Sequence, residues 1–181
     1  MKAVLIPGDG IGVEISESVK QVGNALGCDV EWEEYEAGAE YYEKTGQLMQ
    51  DGLLDRVAEL GCALKGPTAT PIGSGFRSIN VQLRQHFKTF SNLRPVHSLE
   101  GVKTRFDNVD IIIVRENTED LYKGIEYMYD ADTAHGIKLI TRAASEKIAR
   151  FAFDYAKKQG RKKVTCVHKA NIMKLTDGMF L

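Results

Sequence analysis

Gly66-Pro-Thr-Ala-Thr-Pro-Ile-Gly-Ser-Gly-Phe-Arg-Ser-Ile-Asn-Val-Gln-Leu-Arg84 follows directly on a short apolar run, Cys62 to Leu64. Gly66, Gly73 and Gly75, with Pro67 and Pro71, forbid a regular element and suit tight turns. Thr68, Thr70, Ser74 and Ser78 add hydroxyl groups. At Ser78 the pattern changes: a serine can cap a helix, and Val81, Leu83 and Arg84 read as its first turns. A glycine-rich loop that ends at a helix N-terminus points unpaired backbone N–H groups outward and so favours an anion. With Arg77 and Arg84 beside it, the stretch points to a carboxylate or phosphate ligand.

The rest of the chain is ordinary in composition. Its 181 residues are 43% hydrophobic and 27% charged, enough for one sizeable core. A formal net charge of −1 gives no bulk attraction to nucleic acid or to an anionic membrane, and no apolar run has the length of a membrane span. The three cysteines, Cys28, Cys62 and Cys166, are far apart and odd in number, which argues for reduced core thiols and a cytoplasmic location. Met1 leads straight into an apolar run, with no signal segment before it.

That run, Ala3 to Ile6, ends in Pro7-Gly8-Asp9-Gly10-Ile11-Gly12. A helical pattern follows, with Ile15, Val19, Val22 and Leu26 on one face and Gly27 as its cap. A dinucleotide fingerprint is excluded here, because its third glycine falls at Val13. A strand is expected over 29–35, helices over 37–45 and 51–60, a buried strand over 62–64, and another over 87–93 that ends at Arg94-Pro95. Asp110 to Val114 reads as the clearest strand and a candidate central one. Arg115-Glu116-Asn117-Thr118-Glu119-Asp120-Leu121-Tyr122-Lys123-Gly124 follows it, a polar cluster at a strand's carboxyl end, where open α/β sheets place ligands. The segment 125–140 reads as irregular. Thr141 caps a long helix with Ala144, Ile148, Phe151, Ala152, Tyr155 and Ala156 on one face. Lys163 to Val167 is expected to be a strand, and His168-Lys169-Ala170-Asn171 to open a last helix. That helix runs to Phe180 and Leu181 without a capping glycine or polar tail, so the chain is expected to be the N-terminal part of a longer protein.

Several of these stretches resemble the β-decarboxylating dehydrogenases, the family of isocitrate and isopropylmalate dehydrogenases. The loop 66–84, the opening Ile6-Pro7-Gly8-Asp9-Gly10-Ile11-Gly12 with Glu14, the cluster 115–124 and His168-Lys169-Ala170-Asn171 carry the likeness, and it runs over essentially the whole chain. The resemblance implies an α/β sandwich of that family, not a Rossmann fold. Residues 1–90 would belong to its large domain, and 91–181 to its small domain and a subunit-pairing arm.

Arg84, Arg94 and Arg115 stand at the ends of three expected elements, and arginine binds carboxylates bidentately, as a tricarboxylate clamp requires. The resemblance carries the family's clamp onto these three residues and substrate hydrogen bonds onto Ser78 and Asn80. Arg77-Ser78-Ile79-Asn80 is the feature that favours isocitrate. It further implies Tyr122 and Lys169 as the acid–base pair, and Thr70 and Asn171 beside the cofactor. Ala69 departs from the paired threonines of some members. The implied reaction is oxidative decarboxylation of isocitrate to 2-oxoglutarate, with NAD (or NADP) as oxidant and Mg²⁺ or Mn²⁺ as Lewis acid. Lys169 would come from a second subunit, so a homodimer or higher oligomer is implied. Glu116, Glu119, Asp120, Asp130 and Asp132 do not match the family's metal ligands, which are expected outside this chain. The alternative is a truncated, non-catalytic module that binds a tricarboxylate or pairs with a full subunit.

Overall fold

A computed structural model describes residues 1–69 and 78–181. The chain divides into two compact units, Met1–Phe87 and Lys88–Leu181.

Unit 1 is built on β1 (Lys2–Ile6), which lies between β2 (Glu31–Glu34) and β3 (Ala63–Lys65) in a parallel three-stranded sheet. Lys2 pairs with Glu31 on one side and Val4 with Ala63 on the other. A strand paired on both edges of a parallel sheet is covered on both faces, so its sequence is a continuous apolar run. Ala3, Val4, Leu5 and Ile6 are all buried. Val4 and Ile6 point to one face, where they meet Ala37, Leu53 and Ile79, with Tyr35, Met49 and Leu83 packed around them.

Among the described residues this unit also holds four helices: α1 (Ile11–Ala25), α2 (Ala39–Thr45), α3 (Leu53–Leu60) and α4 (Ile79–His86). Helix α1 forms where its pattern placed it, but the apolar face is not the buried one. Its buried residues are Gly12 and Ser16, while Ile15, Val19, Val22 and Leu26 are exposed, Leu26 by 76%. The small residues let the helix backbone lie close to Pro7 and Pro67, and the apolar stripe therefore faces away from the unit's own core.

Unit 2 holds an antiparallel ribbon of β4 (Ser91–His97) and β5 (Asp110–Glu116). β5 is not central: among the described residues it pairs with β4 alone, and Ile111 and Ile113 are about half exposed (52% and 46%). β4 extends through Arg94 and Pro95 to His97, beyond the expected end at residue 93. Proline is tolerated because β4 has an open side toward which the missing N–H would point. The segment expected to be irregular contains a hairpin of β6 (Glu126–Met128) and β7 (Ala134–Gly136), exposed throughout.

Helix α5 (Arg142–Lys158) matches its reading closely. Thr141 caps it by accepting the Ala144 N–H at 3.2 Å, and Ile148 is buried on the face that packs against β5. Phe90 meets Phe151 edge-on, and Phe151 stacks on Tyr155.

The C-terminal expectations fail. Residues 163–167 form no strand among the described residues, and Val167 is 85% exposed. A β-prone run becomes a strand only when another strand takes up its hydrogen bonds. Turns occupy residues 170–172 and 174–175, and only Thr176–Phe180 is helical in this stretch, as α6. Cys28 and Cys166 are exposed free thiols, not core residues. No helix among the described residues is long and apolar enough to cross a membrane.

Candidate functional site

Helix α4 carries the first group of candidate residues. Ser78 is its N-cap, in extended geometry (φ −51°, ψ 134°), and its side chain makes no bond to the helix. Ile79 and Leu83, four apart, pack into the core. That orientation sets Asn80 and Arg84, also four apart, on an adjoining stripe where both are half-buried. Thr70 and Arg77 lie outside the described residues.

The mouth of the loop is fixed by a residue with no role in the sequence reading, Asp9. Its carboxylate accepts the backbone N–H groups of Ala39 (3.1 Å) and Glu40 (2.9 Å) at the start of α2, and that of Ala69 (2.6 Å) at the loop's entry. Glu40 returns the link by accepting the Gly10 N–H at 2.9 Å. Asp9 N–H donates to the Pro67 carbonyl at 2.8 Å. Two glycines make this approach possible. A Cβ at Gly8 (φ +80°) would stand 1.9 Å from the Pro67 carbonyl oxygen, and one at Gly38 (φ +136°) 2.2 Å from the Asp9 carboxylate. Lys65 lies in the same place and donates to the Gly66 carbonyl (2.8 Å) and Thr68 Oγ1 (3.0 Å). Burial pushes its pKa below the usual lysine value; Arg84 adds to that and Asp9 opposes it. The local signal for Asp9 was weak, because its helix partner lies thirty residues away.

The second group is on the β4–β5 ribbon. Asn92 pairs with Arg115, and Arg94 pairs with Ile113. Residues two apart on a strand share a face, as do directly opposed residues, so Asn92, Arg94 and Arg115 lie on one face of the ribbon. Arg94 and Arg115 are diagonal neighbours. Arg94 Nε donates to Asn92 Oδ1 at 3.0 Å. Arg115 donates to the Tyr122 hydroxyl, and its guanidinium lies 5.0 Å from the centre of the Tyr122 ring. Two like charges so disposed favour an anion that both can bind.

The acidic residues at the end of β5 and just after it are engaged in holding the backbone. Glu116 accepts the N–H groups of Thr118 (3.0 Å) and Glu119 (2.9 Å). Glu119, 8% exposed, accepts Thr141 N–H (2.8 Å) and Thr141 Oγ1 (2.7 Å), which joins the cluster to the cap of α5. Asp120 (φ +60°) caps the single 3₁₀ turn Leu121–Lys123 that carries Tyr122. Asp130 accepts the Asp132 N–H at 2.9 Å in the hairpin turn. Lys169 and Asn171 are exposed, in the turns before α6.

The family model for isocitrate/isopropylmalate dehydrogenase matches residues 2–181. The chain belongs to this family. It is 49% identical to "Isocitrate dehydrogenase [NAD] catalytic subunit 6, mitochondrial" of Arabidopsis thaliana, over 100% of this chain and 48% of that protein. It is equally 49% identical to a regulatory subunit of the mitochondrial NAD isocitrate dehydrogenase of Dictyostelium discoideum, over 99% of this chain and 49% of that one. The crystal structure of isocitrate dehydrogenase from Methylococcus capsulatus superposes with a TM-score of 0.93 at 47% identity, over 99% of this chain and 54% of that chain. The α/β fold of the isocitrate/isopropylmalate dehydrogenases is thereby established. The chain spans about half the length of the curated relatives it matches. Both relatives are named as mitochondrial proteins, which overturns the expected cytoplasmic location.

Among the described residues no three His, Cys, Asp or Glu side chains gather as a metal cage. In the glycine turn before α1, Gly8 and Gly12 lie close against Pro67, and the Gly10 N–H is taken up by the Glu40 carboxylate.

Proposed function

We propose that this chain supplies the substrate clamp and the acid–base residues of an enzyme that oxidatively decarboxylates isocitrate to 2-oxoglutarate with NAD. The observation that carries the reading is the register of β4 and β5: it sets Arg94 and Arg115 on one face, with Tyr122 against Arg115. In this reading Arg84, Arg94 and Arg115 bind the carboxylates of the substrate, and Ser78 and Asn80 add hydrogen bonds. Lys169 accepts the proton of the substrate hydroxyl, and Tyr122 delivers a proton to the enolate carbon. Unit 1 would be part of the large domain, and unit 2 the small domain with its hairpin as a pairing arm. NAD supplies the hydride acceptor, contacted by Thr70 and Asn171. A divalent cation, Mg²⁺ or Mn²⁺, would be held by residues outside this chain. A dimer or higher oligomer completes the site.

The test is NADH and NADPH formation by the intact polypeptide with Mn²⁺, from isocitrate and from 3-isopropylmalate in parallel. Turnover of isocitrate with NAD is expected; preference for 3-isopropylmalate would overturn the substrate assignment. A second reading, a non-catalytic subunit that binds a tricarboxylate or pairs with a catalytic one, is favoured by the equal identity to a relative named as a regulatory subunit. Isocitrate raising the melting temperature, with no turnover until a catalytic partner is added, would select it.

A further inference from the structure

Asp177 is a buried carboxylate that the proposed chemistry does not use. It lies in the first turn of α6 and is 8% exposed. Its Oδ1 accepts the backbone N–H of Lys169 at 2.8 Å. Its Oδ2 accepts from Lys138 Nζ at 2.5 Å and from Thr176 Oγ1 at 3.2 Å. Lys138 follows the β6–β7 hairpin, and its ammonium also lies 3.9 Å from Asp120 Oδ2. Asp120 is the cap of the turn that carries Tyr122, and its own N–H donates to the Leu139 carbonyl at 2.9 Å. One line of charge-assisted contacts thus runs from the Tyr122 turn through Asp120, Lys138 and Asp177 to the backbone of Lys169.

Beyond Asp177, the Lys169 turn is held among the described residues only by bonds of its own, one of them the Ala170 N–H donating to His168 Nδ1 at 3.1 Å. Residues 162–169 are exposed and outside any regular element, and the N–H groups of Ile172 and Met173 both fold back on the Lys169 carbonyl (3.0 and 2.8 Å). An exposed turn of this kind opens locally unless a buried group holds it. A carboxylate that accepts a backbone N–H in a buried site is a strong and directional anchor.

We propose that Asp177 is a positioning residue for Lys169: it fixes the turn that presents the Lys169 side chain, and Lys138 keeps its carboxylate aimed. The inference rests on the role of Lys169 in the proposed reaction. A loss of about 1 Å in placement of a reacting group lowers turnover by up to about 100-fold. Asp177→Ala and Asp177→Asn, with Lys138→Met, are made in the intact polypeptide. Steady-state kinetics with isocitrate and backbone amide exchange over residues 166–176 are measured on each.

The expected result for Asp177→Ala is a fall in kcat of about 10- to 100-fold, with KM for isocitrate within about twofold because the arginines are untouched. Exchange at the Lys169 amide should rise selectively. Asp177→Asn keeps an acceptor for the Lys169 N–H and should recover much of the loss; it also serves if the alanine variant does not fold. Lys138→Met should lower kcat, and its effect should not add to that of Asp177→Ala. Unchanged kcat in both Asp177 variants beside an active unmodified enzyme would overturn the inference alone, whatever happens to the melting temperature. So would a faster exchange that leaves kcat intact. An unmodified polypeptide without isocitrate turnover would overturn the functional reading itself, and the positioning role with it.

Discussion

β1 and β5 carry almost the same kind of sequence, Ala3-Val4-Leu5-Ile6 and Ile111-Ile112-Ile113-Val114, yet they end in different surroundings. β1 has a parallel strand on each side, and Val4 and Leu5 are fully buried. β5 has one antiparallel neighbour among the described residues and leaves Ile111 and Ile113 half exposed. An apolar run therefore shows that a strand forms, but not how many of its sides are covered. The difference extends to the candidate residues. In unit 1 they sit on a helix anchored in a packed core by Ile79 and Leu83. In unit 2 they stand on a thin ribbon and on loops, held by carboxylate-to-backbone bonds.

If unit 2 carries chemistry on lightly packed parts, removing a reactive group there should affect turnover far more than stability. Tyr122→Phe is the strongest form of that test. Loss of a general acid lowers kcat by about 100-fold or more, while a lost hydrogen bond costs about 1 kcal/mol of stability. KM for isocitrate should change little. A large rise in KM with kcat preserved would make Tyr122 a binding residue and remove the contrast.

The packing contrast can be measured directly. Leu5→Ala leaves a cavity in a fully buried position and should destabilise by about 3 kcal/mol. Ile113→Ala removes a side chain that is 46% exposed and should cost about 1 kcal/mol. Denaturant titration of both variants gives the comparison. Equal losses would mean that β5 is covered as thoroughly as β1.

Most of the fold was legible in the sequence because its signals are local. The Thr141 cap and the apolar face of α5 follow from spacing within one helix, and β1 follows from its own apolar run, Ala3 to Ile6, ended by Pro7. What failed depends on partners distant in the chain. Lys163 to Val167 has the composition of a strand but no neighbour to pair with among the described residues, and the stripe of α1 marks an apolar face without saying what covers it. Arg115 was legible as an arginine near a strand end, whereas Arg94, expected at a strand end, lies in the middle of β4, and their shared face depends on the register Asn92↔Arg115. Asp9, Glu119 and Asp177 were missed as anchors for one reason. Each bonds backbone N–H groups, which every residue except proline has, and the Thr141 and Lys138 side chains that also reach Glu119 and Asp177 lie more than twenty residues away in the chain.

Asp9 tests whether unit 1 depends on such an anchor as unit 2 does. Asp9→Asn puts an amide N–H₂ where a carboxylate oxygen accepts N–H groups, so at least one of the bonds to Ala39, Glu40 and Ala69 is lost. The expected loss is about 1–2 kcal/mol, with a several-fold rise in KM for isocitrate because the loop is freed at Ala69. Urea titration with isocitrate kinetics checks both. A stability loss without a change in KM would show that Asp9 joins α1 to α2 but does not govern the loop.

The smallest expected effect compares two matched ion pairs, one in each unit. Arg56 grips Glu33 through Nε and Nη2 at 2.5 Å each, and Arg161 grips Asp110 through Nη1 and Nη2 at 2.6 Å each. Each guanidinium holds its carboxyl below the usual carboxylate pKa, chiefly through these hydrogen bonds. A carboxyl with a depressed folded-state pKa stabilises the protein above its unfolded-state value of about 4, and that contribution fades as pH falls through the folded value. Glu33→Gln and Asp110→Asn should each flatten the fall of melting temperature between about pH 5 and pH 2. The Glu33 side chain is 25% exposed and that of Asp110 is 55%, so solvent screens the second pair more. The flattening should be greater for Glu33→Gln, and the reverse order would place the more rigid ion pair on the ribbon, against the packing contrast between the two units.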